Sequence, residues 1–138
     1  MSVSVVIPIF NERENISRLY WELKKALLPL DCQYEILFVD DGSSDGSDDV
    51  LREITDTDPQ VRVIQFRRNY GQTAAMQAGI DHAGCDVIVT LDGDLQNDPA
   101  DIPRLLNKLD EGYDRVHGWR KDLQDALVQR KLPSRIAH

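Results

Sequence analysis

Residues 34–44 read YEILFVDDGSS, and the fold follows from this stretch. Ile36, Leu37, Phe38 and Val39 are four apolar residues in a row. A strand with one wet face alternates apolar and polar; an unbroken run is expected where both faces of a parallel sheet are covered. The run then stops abruptly at Asp40, Asp41 and a glycine–serine turn, so the strand should end on a polar rim.

The same pattern repeats on either side. VSVVIPIF (3–10) is a short β-rich run in which Pro8 removes a ladder donor. NERENISRLYWELKKALLPL (11–30) reads as a helix, with Asn11 as N-cap, Glu14 three residues on, and Ile16, Leu19, Tyr20, Leu23 and Leu27 on one face. GSSDGS turns into the helix DDVLREITD, where Asp45 or Ser47 is the expected cap; VRVIQF is a third strand and GQTAAMQAGIDHA a small-residue helix. DVIVTL is a fourth strand, followed by the helix PADIPRLLNKLDEG with Pro99 in its first turn. YDRVHGW is a candidate fifth strand, and residues 120–132 read as helical up to Pro133. Strand–helix alternation at this spacing predicts one α/β domain over residues 1–138, a doubly wound, mostly parallel sheet with helices on both faces. Ligands of such sheets bind beyond the carboxyl ends of the strands, where PIFNE, DDGSSD, RRNYG and DGDLQ all fall.

Composition narrows the function. The 138 residues are 41% hydrophobic and 29% charged, as in an ordinary globular protein. No run approaches the ~18 apolar residues of a membrane span, and MSVSVVIPIF has neither basic region nor cleavage site, so it reads as a first strand. The net charge is −8, and the first 114 residues are strongly acidic while the last 24 are basic. An acidic body argues against nucleic acid as a partner; the basic end suits an anionic substrate or membrane surface. Cys32 and Cys85 lack metal or redox spacing and are expected to be free buried thiols.

VIVTLDGDLQNDP (87–99) carries the chemistry. Asp92 and Asp94 flank Gly93, so both side chains leave one face of an extended segment, and the glycine permits close approach. With Gln96 as a third oxygen donor, the set suits Mg²⁺ or Mn²⁺, ions that complete their shells with water and substrate phosphate. The competing reading is a polar loop capping the helix at Pro99. Asp40 and Asp41 can accept from a nucleobase or ribose. Glu12 is a ligand contact or a first-turn acid. One of Arg67 and Arg68 is expected to hold an acidic rim loop together, Arg120 to reach a diphosphate, and His82 and His117 to be structural or surface residues.

IPIFNE, FVDDGSSDGS, RRNYGQTAAMQAG, LDGDLQNDP and VHGWRKD, in this order, resemble the family 2 glycosyltransferases of GT-A fold, nearest the polyprenyl-phosphate branch akin to dolichol-phosphate mannose synthases and bacterial glucosyl counterparts. The resemblance covers essentially the whole chain. It implies that Pro8, Phe10 and Glu12 line a nucleotide pocket, that Asp40 meets base or ribose with Asp41 beside it, and that Asp92, Asp94 and Gln96 bind the cation. Gly93 shares the donor-binding loop, Arg120 faces the diphosphate, and Arg130 and Ser134 lie on the acceptor side. The implied reaction is metal-dependent, inverting hexosyl transfer from a UDP- or GDP-sugar to undecaprenyl or dolichyl phosphate, with Asp94 and Arg120 as catalytic groups, in cell-wall or membrane glycan synthesis.

In such relatives the chain continues past the equivalent of His138 with an acceptor-side and membrane portion. That predicts weak or absent transfer by residues 1–138 alone, a cytoplasmic location at the membrane face for the longer relatives, and leaves homo-oligomers open. The alternatives are a module that binds nucleotide sugar without transfer, or a transferase acting on a polysaccharide hydroxyl. A receiver domain is disfavoured because no lysine falls on the fifth strand, and a dinucleotide dehydrogenase because PIFNE has no glycine cradle.

Overall fold

The computed structural model describes residues 1–94, 98–113, 115–118 and 126–131. Six strands form one sheet in the order β3-β2-β1-β4-β6-β5. They are β1 (Ser2–Ile9), β2 (Gln33–Asp40), β3 (Val61–Gln65), β4 (Val87–Thr90), β5 (Arg115–Gly118) and β6 (Ala126–Arg130), joined by α1 (Arg13–Leu27), α2 (Ser47–Thr57), α3 (Gln72–His82) and α4 (Ile102–Asp110). β3, β2, β1 and β4 run parallel. β6 lies antiparallel to both β4 and β5.

Both faces of the central strands are covered, which is why β2 could be apolar without alternation. On one face Val3, Val5, Ile7, Ile9, Ile36 and Phe38 pack under α1, α2 and α4. On the other, Val6, Leu37 and Ile88 pack with Ala83 and the α3 residues Met76 and Ile80. α1 contributes Ile16, Leu19, Leu23 and Leu27, all fully buried, each stabilising by about 1.5–3 kcal/mol relative to exposure.

Three local expectations are corrected. Residues 126–130 are a strand rather than part of a helix; Ala126, Leu127 and Val128 complete a ladder whose partners lie on β4 and β5, and this long-range pairing overrides local helical spacing. Asn11 does not cap α1: the helix starts after Glu12, and the Asn11 side chain is committed to another loop. Cys32 and Cys85 are free but only partly buried. The segment after Asp98 opens as a 3₁₀ turn, Pro99–Asp101, before α4 begins; the Asp98 side chain accepts from the Ala100 N–H.

At the amino ends of the strands, a polar cluster ties α1 to the α2–β3 connection. The Tyr20 hydroxyl donates to Asp58 Oδ2 at 2.6 Å, and Lys24 Nζ lies 3.0 Å from the same oxygen. Lys24 also donates to the Tyr34 hydroxyl at 2.6 Å. Burial alone raises the Asp58 pKa, but the bonds from Tyr20 and Lys24 outweigh it and hold the carboxyl below its usual value. Burial, then the bond to Asp58, pushes the Tyr20 phenol up to about 12.

The depressed Asp58 pKa stabilises the fold above about pH 4, and this contribution fades as pH falls through the carboxylate range. Asp58→Ala should therefore cost about 1–3 kcal/mol in urea unfolding at pH 7, with the deficit shrinking on acidification. A deficit that stays constant down to pH 2 would contradict this linkage.

Candidate functional site

Pro8 explains why the chain opens a cleft where it does. The Val6 carbonyl accepts from Leu91 N and the Ile9 carbonyl from Asp41 N, so residue 8 faces β4, where proline offers no donor. The β1–β4 pairing has already ended at Val6–Thr90, and the chain turns there into Asp92, Gly93 and Asp94. The successive connections run outward from β1 through β2 to β3, then return to β4 on the opposite side of β1. The gap between the carboxyl ends of β1 and β4 is thus the topological switch point, the usual ligand crevice of an open α/β sheet.

Four loops close a circuit around that gap. The loop after β1 holds the loop after β2: Asn11 N–H donates to Ser43 Oγ at 2.9 Å, and Ser44 N–H to Asn11 Oδ1 at 2.8 Å. Asp45 adds a third link, accepting from Arg13 N–H at 3.1 Å and from Ser47 N–H at 3.0 Å; the N-cap of α2 is Gly46 rather than the expected Asp45 or Ser47. Asn11 adopts φ +52° to make these bonds, a conformation that asparagine tolerates.

The second loop holds the third through Asp41, whose Oδ1 accepts from Tyr70 N–H at 2.7 Å and Oδ2 from Gly71 N–H at 3.0 Å. Gly42 makes that join possible. Its φ is +71°, and a Cβ there would lie 2.3 Å from the Arg68 carbonyl carbon. The third loop reaches the fourth when Gln72 Nε2 donates to Asp92 Oδ1 at 2.8 Å. The fourth returns to the first at Gly93, where a Cβ would lie 2.9 Å from the Pro8 carbonyl oxygen and 2.8 Å from Ile9 Cδ1.

Inside this circuit lies a cleft of about 410 Å³. The end of β1 and the loop after it supply Pro8, Phe10 and Glu12 to its lining, the loop after β4 supplies Asp92, Gly93 and Asp94, and the remainder includes Asp41, Asn69, Gly71 and Gln72. Phe10 is 46% exposed, an aromatic ring presented to the cleft mouth. The two acidic residues of VDD divide: Asp41 is on the cleft wall, while Asp40 is fully buried beneath it. Asp40 Oδ1 accepts from Ser43 N–H at 3.0 Å, and its Oδ2 has no hydrogen-bond partner among the described residues. The close approach at Gly93 is made by the protein's own β1 end, a packing reason for glycine that the sequence did not reveal.

Asp92 is half-buried and Asp94 exposed. Burial raises the Asp92 pKa, the neighbouring Asp94 charge raises it further, and the Gln72 hydrogen bond only partly offsets both. A divalent cation would relieve that repulsion, and two carboxylates in an open cleft fit Mg²⁺ or Mn²⁺, which keep positions for water and phosphate. No group of three or more His, Cys, Asp or Glu residues able to hold a metal exists among the described residues. Gln96, Arg120 and Ser134 lie outside the described residues.

Arg67 and Arg68 do not hold an acidic loop: among the described residues neither makes an ion pair, and Arg68 sits 5.0 Å from the centroid of the Tyr70 ring. Backbone N–H groups do the work expected of them. Arg130 lies 4.0 Å from Asp110, and His82 Nδ1 bonds the Ala78 carbonyl within α3. Ile9, Asn69, Gly71 and Gln72 are cleft residues that sequence reading missed; for Gln72, its place in the first turn after a rim loop was the available signal.

The family model described as Glycosyl transferase family 2 matches residues 4–137. The chain is 44% identical over 135 residues to the undecaprenyl-phosphate 4-deoxy-4-formamido-L-arabinose transferase of Klebsiella pneumoniae, covering 97% of this chain and 41% of that protein. It is 41% identical over 140 residues to the dodecaprenyl-phosphate galacturonate synthase of Rhizobium johnstonii, covering 100% and 41% respectively. The chain thus spans about two fifths of the length of these curated relatives. Among solved structures, the mannosyltransferase PcManGT of Pyrobaculum calidifontis, in complex with GDP-Man and Mn²⁺, superposes with TM-score 0.80 at 18% identity, over 93% of this chain and 44% of that one. The fold is therefore the expected one.

Gly93→Ala should destabilise the chain by about 1–3 kcal/mol in urea unfolding, as overpacking does, because the added methyl has backbone on one side. Wild-type stability in this variant would mean the fourth loop is not pressed against β1.

Proposed function

The chain belongs to glycosyl transferase family 2, and from that membership we propose that it forms the donor-binding part of a metal-assisted polyprenyl-phosphate glycosyltransferase. The donor is a UDP- or GDP-sugar, the acceptor a polyprenyl phosphate at the cytoplasmic face of a membrane, and transfer proceeds with inversion. The observation that carries this reading is that Asp92 and Asp94 line the same switch-point cleft as Phe10, Glu12 and Asp41. The two relatives reported above, named for undecaprenyl- and dodecaprenyl-phosphate, support the acceptor class. One of those names carries an arabinose derivative, a pentose, so the transferred group is a glycosyl unit and not restricted to hexoses.

Each wall has a chemical part. Pro8 and Phe10 offer apolar surface to a nucleoside, and Asp41, buried and rigidly held, presents a carboxylate to its polar edge. Asp92 and Asp94 hold the cation. When bound, that ion neutralises charge on the departing nucleoside diphosphate; Arg120 is assigned to the same diphosphate. An oxygen of the acceptor phosphate attacks the anomeric carbon from the face opposite the diphosphate, and the nucleoside diphosphate leaves with the bonding electron pair. A phosphate monoester with a second pKa of about 6 is already largely anionic near neutrality, so no protein base is required. A hydroxyl acceptor would need one, and exposed Asp94 is the carboxylate positioned for it.

Calorimetry with UDP or GDP plus Mn²⁺ should show binding that EDTA largely removes, and Asp92→Ala should abolish the metal-dependent part. Equal affinity in EDTA would sink the metal assignment.

A further inference from the structure

We infer that Gln72 is the positioning residue of the cation site: its side-chain amide orients the Asp92 carboxylate without neutralising it. This rests on the reading of Asp92 and Asp94 as cation ligands. Gln72 Nε2 donates to Asp92 Oδ1 at 2.8 Å, and both residues line the cleft.

The placement of Gln72 is fixed from the backbone. It is the first residue of α3, and the two residues before it are pinned through their N–H groups to buried Asp41. The amide therefore reaches Asp92 from a rigid base.

The residue type matters as much as the place. Asp92 feels the Asp94 charge two residues away, and the hydrogen bond to its Oδ1 limits the orientations the carboxylate can take. A lysine or arginine would hold it but would also neutralise it and compete with a divalent ion. A carboxylate would add to the repulsion. A neutral donor is the one choice that restrains Asp92 and leaves its full charge for the cation, as outer partners of metal ligands generally do.

The test titrates Mn²⁺ into the chain saturated with UDP, or with GDP where that nucleotide is the one bound, following free Mn²⁺ by electron paramagnetic resonance. Gln72→Ala should weaken Mn²⁺ binding about tenfold, the lower end for loss of such a partner, with melting temperature and nucleotide affinity in EDTA unchanged. Gln72→Lys should weaken it further, because its ammonium group competes for Asp92. Gln77→Ala, which alters a pair with Asp81 elsewhere on α3, should leave Mn²⁺ affinity at the wild-type value.

Wild-type Mn²⁺ affinity in a folded Gln72→Ala chain would overturn the inference, as would an equal loss of nucleotide affinity in EDTA. Absence of any metal-dependent nucleotide binding by the wild-type chain would instead overturn the reading of Asp92 and Asp94, and this inference with it.

Discussion

The carboxylate of Asp41, only 2% exposed at the end of β2, accepts hydrogen bonds from two consecutive backbone N–H groups, those of Tyr70 and Gly71. The rest of the cleft depends on that join. A buried carboxylate without donors is expensive, and two backbone donors stranded beside it would be costly as well. Each therefore fixes the other. With residues 70 and 71 held, Gln72 is delivered to Asp92, and the loop after β4 is drawn into the circuit that Gly93 closes against β1. The same carboxylate sits on the cleft wall.

Topology decides where this circuit forms. The chain leaves β1 in one direction for β2 and β3, then returns to its other side for β4, and Pro8 withholds the donor that would zip the two strand ends together. The opening is built into the order of the strands. Into it the fold places two carboxylates whose mutual repulsion is only partly relieved by hydrogen bonding. Such a pair is costly in a bare domain, and a cation placed against both carboxylates would offset that cost. Stability is contributed elsewhere, by the α1–α2–α4 core and the Tyr20–Lys24–Asp58 cluster at the far end of the sheet.

What could be read from the sequence was local. The unbroken apolar run of β2 predicted a sheet covered on both faces, and the helix on each face followed from residue spacing. The misreadings share a cause: the deciding partner lies far along the chain. Asn11 resembles a helix cap until Ser43 and Ser44, more than thirty residues on, are seen to claim it. Residues 126–130 have helical spacing, yet β4 and β5 offer a ladder. Asp40 and Asp41 are equivalent on paper; consecutive strand-end residues face opposite ways, and only packing tells which one meets the cleft. Gln72 lies within RRNYGQTAAMQAG, but nothing in that stretch singles it out from its neighbours.

On the proposed function, the four-loop circuit at the β1–β4 gap is a divalent-cation and nucleoside-diphosphate site. Crystals grown with Mn²⁺ and UDP or GDP, measured at the manganese absorption edge, test it most directly. The expected result is an anomalous peak within coordinating distance of Asp92 and Asp94, with the nucleotide diphosphate against it and the nucleoside along Phe10 and Asp41. A nucleotide bound in the cleft with the manganese peak elsewhere, or with none, would contradict it.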